Sequence, residues 1–509
     1  MAACTAATLG AMLLQGCAGL PGLEGRSIST ALRDTADTRL GRAVVPLARA
    51  HPAASGVVAL RDGRDAFAAR ALLADAAERS LDIQYYIWRD DLSGTLLLEA
   101  VRRAADRGVR VRLLLDDHNT AGLDAMLAAL DAHPNIEVRL FNPFVQRRWR
   151  VLGYLTDFAR LNRRMHNKSF TADNQATIIG GRNVGDEYFD AGQDVTFVDL
   201  DVLAIGPVAQ DVSADFDRYW ASDSSYPVDR VLPRSGPASA TGLSAAASRV
   251  AQDPAAAAYV DALARSPFVR QLLQARLPFE WTAVRMVSDD PAKGLGRAAD
   301  EALLWSRLER ILETPSRELE LVSPYFVPGR AGVAFFASLA GRGVDVKVLT
   351  NALEATDVAV VHAGYAKRRR PLVAAGVSLY EMKRTFSSEA GGRRGSRGSS
   401  ASSLHAKTFS VDRSRVFVGS FNFDPRSARL NTELGFVIDS PAMAQAIADA
   451  FAERIPARAY RVRLDAAGGL EWIEQAQGRT IVRDTEPGTS AWKRIGVRLL
   501  SLLPIEWLL

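Results

Sequence analysis

The feature that most constrains this chain is that part of it is written twice. His166, Lys168, Asp173, Gly180 and Asn183 recur as His405, Lys407, Asp412, Gly419 and Asn422, every pair 239 residues apart (405 − 166). The first copy reads MHNKSFTADNQATIIGGRN and the second LHAKTFSVDRSRVFVGSFN, with Ser420 where the first has Gly181. Chance explains this poorly, because the 509 residues hold six histidines and only seven lysines among 63 basic residues. Two of those seven lysines stand two places after a histidine. A unit repeated at this spacing implies two similar halves packed together.

The repeat extends outwards. RGVRVRLLLDD (107–117) matches RGVDVKVLTNA (342–352), each a helix end at Arg-Gly followed by a buried strand. LDIQYYIW (81–88) and LELVSPYFVP (319–328) are strands, each followed by a helical stretch, and DLDVLAIGP (199–207) parallels ELGFVIDSP (433–441), which sets Asp199 opposite Glu433. Strands alternating with helices in both halves predict an α/β fold. It consists of two similar α-β-α sandwich halves related by a pseudo-twofold, with both His-Lys motifs at the seam. The expected divisions are 55–222 and 276–460 for the halves, a Ser/Pro/Ala-rich join at 223–275 with no strand pattern, and a C-terminal extension at 461–509.

Before residue 55 the reading changes. The stretch up to Cys17 is small and apolar, too short for a membrane span and suited to a secretory leader. LLQGC resembles the lipobox of bacterial lipoproteins, which makes 1–17 a signal peptide, Cys17 the lipid-modified first mature residue and 18–54 a linker. The only other cysteine is Cys4, so the body has no thiol for a disulfide or a cysteine metal site. A net charge of +5 tolerates anionic partners without marking a dedicated nucleic-acid binder.

Within each motif, residues two apart on a strand share a face, so His166 and Lys168 point the same way. The run ATIIGGRN then returns as the second strand of a hairpin with DNQ at its turn. Its glycines let backbone approach a ligand, and Asn183 offers an amide. Two halves together supply two imidazoles, two ammonium groups and two amides. No His/Cys or carboxylate set has metal-ligand spacing, and no cofactor is expected. Such a site suits phosphodiester exchange: one neutral imidazole attacks phosphorus, the other protonates the leaving alkoxide, and Lys168, Lys407, Asn183 and Asn422 hold the non-bridging oxygens. Asp199 and Glu433, 33 and 28 residues after their histidines (199 − 166; 433 − 405), are the candidates to hold each ring's other nitrogen.

Paired HxKxxxxD motifs followed by GxxN resemble the phospholipase D superfamily. The stretches 115–144 and 153–190, SLHAKTFSVD, VGSFNFDPRSARLNTELG and the closing LLSLLPIEWLL are similar to its cardiolipin synthase C-type subgroup. The resemblance implies a phosphohistidine intermediate with His166 as nucleophile and His405 as acid. It implies a phosphatidyl transferase that makes cardiolipin from phosphatidylglycerol and a second phospholipid, phosphatidylglycerol or phosphatidylethanolamine. Ser420 keeps the family's serine after the glycine. Gly181 departs from it, so backbone and Arg182 are expected to hold phosphate in the first half. The motif aspartates Asp173 and Asp412 belong to the catalytic signature, with a structural role expected. A phospholipid hydrolase using water as acceptor is the alternative, and a nuclease lies behind it, since a nuclease wants a continuous cationic groove with stacking aromatics. Complete motifs in both copies argue against an inactive binding protein.

The expected partners are phospholipid substrates and a membrane surface, with no nucleic acid; whether a small accessory protein takes part is left open. The expected location is the cell membrane, lipid-anchored and facing the periplasm, or else peripheral on the cytoplasmic face. VQRRWRVLGYL (145–155) interleaves Arg147, Arg148 and Arg150 with Trp149 and Tyr154, a mix suited to an anionic bilayer interface. WKRIGVRLLSLLPIEWLL reads as lying on the membrane, with packing on the domain as the alternative, and the basic loop 383–403, running into His405, reads as a tolerated linker or a gate that orders on lipid binding. His51, His118, His133 and His362 read as surface or packing residues.

Overall fold

The computed structural model describes residues 19–191, 195–232, 245–250, 252–274, 276–312, 315–356, 358–386, 401–476 and 478–509. Two large sheets carry the fold. Across the first, the strands are Glu280–Thr282, Ser55–Leu60, Asp201–Ile205, Ala176–Gly180, Ser169–Ala172, Ser80–Ile87, Arg110–Asn119, Ile136–Phe141 and Ser225–Pro227. Across the second they are Val284–Ser288, Leu434–Ile438, Arg415–Gly419, Thr408–Val411, Glu318–Val322, Asp345–Asn351, Ser378–Met382, Ala459–Leu464, Leu470–Ala476 and Arg479–Arg483. From Ser55–Leu60 to Ser225–Pro227 in one sheet and from Val284–Ser288 to Ala459–Leu464 in the other, the order is the same, so the duplication is a duplication of topology.

In each sheet three neighbouring strands run parallel and the rest antiparallel. The parallel strands alternate apolar with polar residues, yet even Asp82, Gln84, Arg112 and Glu320 are buried, with helices beginning at Leu92–Asp106 in one half and Gly329–Gly341 in the other. Asp91 caps the first of these helices by accepting from the Gly94 N–H at 2.9 Å. The motif hairpins close through tight turns in which both central residues have positive φ: Asp173 and Asn174 at 50° and 54°, Asp412 and Arg413 at 52° and 51°. That pattern defines a type I′ turn, which matches the twist of the flanking strands.

The halves meet through a shared apolar cluster in which Val57, Ile179 and Val202 pack with Val416, Leu434 and Phe436. Backbone crosses the seam as well. Val195–Val198 pairs in parallel with Ala401–Leu404, and Met165 bridges to Thr432.

Three expected divisions need correction. The join at 223–275 contains the strand Ser225–Pro227, which completes the first sheet; three residues ending in proline carry no alternation to read. Glu280–Thr282 lies beyond the predicted boundary yet pairs with Ser55–Leu60 in that same sheet. The C-terminal extension carries the strands Leu470–Ala476 and Arg479–Arg483, which continue the second sheet, and a helix, Ala491–Ser501, whose Val497 packs against Leu353 and against Ala363 of the helix Ala359–Ala366. Cys4, Cys17 and the leader lie outside the described residues, as do residues 387–400 of the basic loop.

Candidate active site

The two hairpins deliver their histidines to one cavity. About 950 Å³ in volume, it is walled by His166, His405, Asn183 and Asn422 together with Tyr86, Tyr188, Tyr325, Asp424 and Arg426. Lys168 and Lys407 lie beneath the wall, each 1% exposed. The Lys168 ammonium donates to the His166 carbonyl at 2.5 Å and sits 5.6 Å from the Tyr86 ring centroid. The Lys407 ammonium donates to the His405 carbonyl and lies 3.0 Å from that imidazole's Nδ1.

Each histidine is oriented by the opposite half. Nδ1 of His166 meets Glu433 Oε2 at 2.8 Å, and Nδ1 of His405 meets Asp199 Oδ2 at 2.6 Å. The expectation that each carboxylate serves the histidine of its own repeat is therefore corrected. The exchange follows from the backbone. The His166 N–H donates to the Thr432 carbonyl at 2.9 Å, next to Glu433, while the His405 N–H donates to the Val198 carbonyl at 2.9 Å, next to Asp199. A half alone has a histidine without its carboxylate.

Burial pushes both imidazoles down, His166 well below its ordinary value and His405 to about 4, and the two lysine charges push the same way. Burial also lowers Lys168 to about 7. The carboxylates diverge. Burial raises Glu433 to about 7, against the pull of Lys168. Burial would raise Asp199 too, but His405, Lys407 and Arg182 outweigh it and hold the carboxyl well below the usual range. Asp289 and Asp424, near Glu433, are likewise raised to about 6, by burial first and by the Glu433 charge as well.

Several predicted phosphate contacts are placed elsewhere. Ser420 donates its hydroxyl to Glu433 Oε2 and accepts from the Leu434 N–H at 3.0 Å, so it supports the carboxylate. Gly181 has its N–H on the Leu200 carbonyl at 3.1 Å, and a Cβ there would lie 2.0 Å from Asp199 Oδ1. The glycine makes room for the carboxylate, not for a ligand. Gly419 likewise makes room for the neighbouring strand, since a Cβ would lie 2.4 Å from the Leu434 carbonyl. Arg182 is buried and donates to the carbonyls of Tyr188, Leu60, Arg61 and Asp199, which leaves it no role at a phosphate. Asn183 Nδ2 donates to the Tyr188 hydroxyl at 3.0 Å, with its carbonyl oxygen accepting from the Ile87 N–H at 3.2 Å.

The motif aspartates stand at the hairpin turns, away from the cavity wall. Asp173 accepts from the N–H groups of Glu78, Arg79 and Ser80, and Asp412 from those of Ser316, Arg317 and Glu318. Each carboxylate ties its hairpin to the start of the neighbouring parallel strand. Among the other histidines, His51 stacks on Trp281 at 4.3 Å and His362 meets Glu486 at 3.2 Å. His118 meets the Tyr154 hydroxyl at 3.0 Å.

The tyrosines and Arg426 escaped the sequence reading. Tyr86 packs edge-on to His166 at 4.9 Å, and Tyr188 to His405 at 5.1 Å. A signal for one pair existed: Tyr86 and Tyr325 are 239 residues apart (325 − 86), the histidine spacing.

The profile described as "Cardiolipin synthase, PLD-like domain" matches residues 71–220 and again 308–455. The chain is 52% identical over 474 residues to cardiolipin synthase C of Escherichia coli (strain K12), covering 92% of this chain and 100% of that protein. It is 26% identical over 391 residues to cardiolipin synthase A of Pseudomonas entomophila (strain L48), covering 76% of this chain and 66% of that one. Among solved structures, the phosphatidylserine synthase of Haemophilus influenzae Rd KW20 superposes with a TM-score of 0.54 at 14% identity, over 80% of this chain and 87% of that chain. That likeness is one of fold.

Proposed function

Because the chain belongs to the cardiolipin synthase family of phospholipase D-like proteins, we propose that it transfers phosphatidyl from one phospholipid to the terminal hydroxyl of phosphatidylglycerol, forming cardiolipin. The donor is phosphatidylglycerol or phosphatidylethanolamine. The observation that carries the reading is the pair of histidines on one cavity wall, each with Nδ1 on a carboxylate of the opposite half.

With Nδ1 engaged, Nε2 is the reacting atom of each ring. His166, the more strongly held in its neutral form, attacks phosphorus; the bond from phosphorus to the headgroup oxygen breaks, and His405 gives that oxygen its proton. The incoming phosphodiester brings the negative charge that favours the imidazolium, and the ionised Asp199 adds to it at His405. In the second step His405 takes the proton of the phosphatidylglycerol hydroxyl, whose oxygen attacks phosphorus and releases His166. Lys168 and Lys407 set positive charge beneath the reacting phosphate, where the low dielectric strengthens it. Asp173 and Asp412 serve this chemistry only by holding the hairpins.

The lipid anchor belongs to the same proposal: Cys17 carries it, and the active site works at a membrane surface facing the periplasm. Among the described residues no helix is long and apolar enough to cross a membrane. The test is product analysis in vesicles of labelled phosphatidylglycerol and phosphatidylethanolamine. Cardiolipin formed by the native protein and not by His166→Ala is the expected result, and the alcohol released identifies the donor. Phosphatidate as sole product would replace the transferase with a hydrolase.

A further inference from the structure

Two segments connected to the cavity wall expose large apolar side chains. The first surrounds the helix Arg150–Thr156, where Trp149, Val151, Leu152 and Leu155 face outwards, Leu155 being 82% exposed. The second is the helix Ala491–Ser501 with the residues after it. Val497 seats that helix on the protein, whereas Trp492, Ile495, Leu499 and Leu502 form a stripe on its open side, Trp492 being 81% exposed. A helix apolar on two sides has one of them uncovered, and exposed apolar surface of this extent marks an interaction site.

Both segments are fastened to the cavity rim. Arg147 pairs with Asp117 and Asp124, and Arg150 donates to the Asp117 carbonyl at 2.7 Å, at the end of the strand whose Asn119 lines the cavity. These two arginines therefore do not face headgroups, contrary to the sequence expectation; the short stretch gave no sign that Asp117 and Asp124 would claim them. Their effect is to turn the apolar residues outwards. At the other segment, Leu508 and Leu509 are themselves cavity wall. Arg426, also on the wall, donates to the Leu508 carbonyl at 3.0 Å and to the Asn162 carbonyl at 3.0 Å, the latter just after the first segment. One side chain thus ties the two apolar segments together at the mouth.

We propose that these segments form a single docking face for an anionic lipid bilayer, which sets the cavity mouth directly on the lipid surface. This rests on, and deepens, the lipid-transfer reading. Each segment combines exposed tryptophan with an exposed arginine, Arg148 in the first and Arg498 in the second, the pairing that places aromatic rings at the interface and cations against acidic headgroups. A bilayer fits this face and a protein partner does not, because both apolar segments are fastened to the wall of a cavity that must receive a lipid, and a protein seated on them would obstruct it.

The body's lack of cysteine makes the test direct. The full chain with Cys4→Ser and Cys17→Ser, which also removes any acyl anchor, receives Leu155→Cys, Leu502→Cys or, as control on the far edge strand Arg479–Arg483, Val482→Cys, each labelled with a polarity-sensitive dye. Vesicles of phosphatidylglycerol and phosphatidylcholine are expected to shift the first two emissions to the blue and to leave the third unchanged; phosphatidylcholine alone should do so at least tenfold less well. In co-sedimentation, Trp149→Ser/Leu155→Ser and Trp492→Ser/Leu499→Ser should each lower partitioning about tenfold, and Ile481→Ser/Val482→Ser less than twofold. Equal blue shifts at all three sites, unchanged partitioning, or a native dimer that the face variants dissociate would overturn the proposal. The readouts need no turnover, so vesicle binding at this face without cardiolipin synthesis would reject the catalytic reading alone.

Discussion

The two halves of the site carry the same motif and support it differently. His166 has Glu433 backed by the Ser420 hydroxyl, in a region it shares with Asp289 and Asp424. His405 has Asp199, fitted against Gly181 and surrounded by Lys407 and Arg182. At Glu433 burial outweighs the pull of Lys168 and Lys293, whereas at Asp199 His405, Lys407 and Arg182 outweigh burial. Duplication therefore supplied two equivalent imidazoles, and the residues around them made the pair inequivalent, as an attack-and-protonate sequence requires.

The widest test of that inequivalence removes the rings. His166→Ala and His405→Ala should each cut turnover by about 10³-fold or more, yet differ in what they accumulate. With a donor labelled in its phosphatidyl part, His405→Ala should hold label on the protein and His166→Ala should hold none. Label on His166→Ala alone would reverse the two roles.

Next in size is the carboxylate comparison. Asp199→Asn should lower kcat/KM by roughly 10²-fold, because an ionised partner stabilises the imidazolium that His405 becomes. Glu433→Gln should cost about tenfold, since that carboxyl, pushed up to about 7, carries less than a full charge near neutrality. Equal losses would show that the electrostatic contrast does not reach the chemistry.

The pH profile sharpens the same point. Lys168 is lowered to about 7, and a lysine is charged only below its pKa, so the phosphate loses one cation as pH rises through that value. The expected kcat/KM declines above about pH 7. Lys168→Arg, charged throughout, should move the decline to higher pH even if the maximum rate falls. An unmoved decline would assign it to Glu433 or the histidine pair instead.

Much of this site was legible because it is periodic. The fixed offset carries the hairpins, the histidines and lysines, and even Tyr86 with Tyr325. What the offset cannot carry is direction across the seam. Asp199 and Glu433 sit in corresponding strands, and nothing along the chain distinguishes reaching the near histidine from reaching the far one; parallel pairing of Val195–Val198 with Ala401–Leu404 decides it. Arg182 misled for a related reason. An arginine beside a phosphate-like motif reads as a ligand, whereas its four carbonyl partners come from segments up to 122 residues away. Ser225–Pro227 and Glu280–Thr282 escaped because three-residue strands have no period.

The smallest effects should come from the position after the shared glycine, where the first motif has Gly181 and the second Ser420. Gly181→Ser gives the first half the second half's residue, but Asp199 is shorter than Glu433 and its oxygen already occupies the space, 2.0 Å from where the new Cβ would stand. Either Asp199 or the strand must shift, at about 1–3 kcal/mol of stability, and the Asp199–His405 contact should loosen with a roughly tenfold loss of kcat/KM. Ser420→Ala removes a donor to Glu433 and an acceptor for Leu434 without crowding anything, so about 1 kcal/mol is expected and a smaller loss of rate. Denaturant unfolding and steady-state kinetics on both variants measure this directly. A Gly181→Ser protein as stable and active as the native one would mean that Asp199 has room to spare, and that the departure from serine in the first half is not set by the shorter carboxylate.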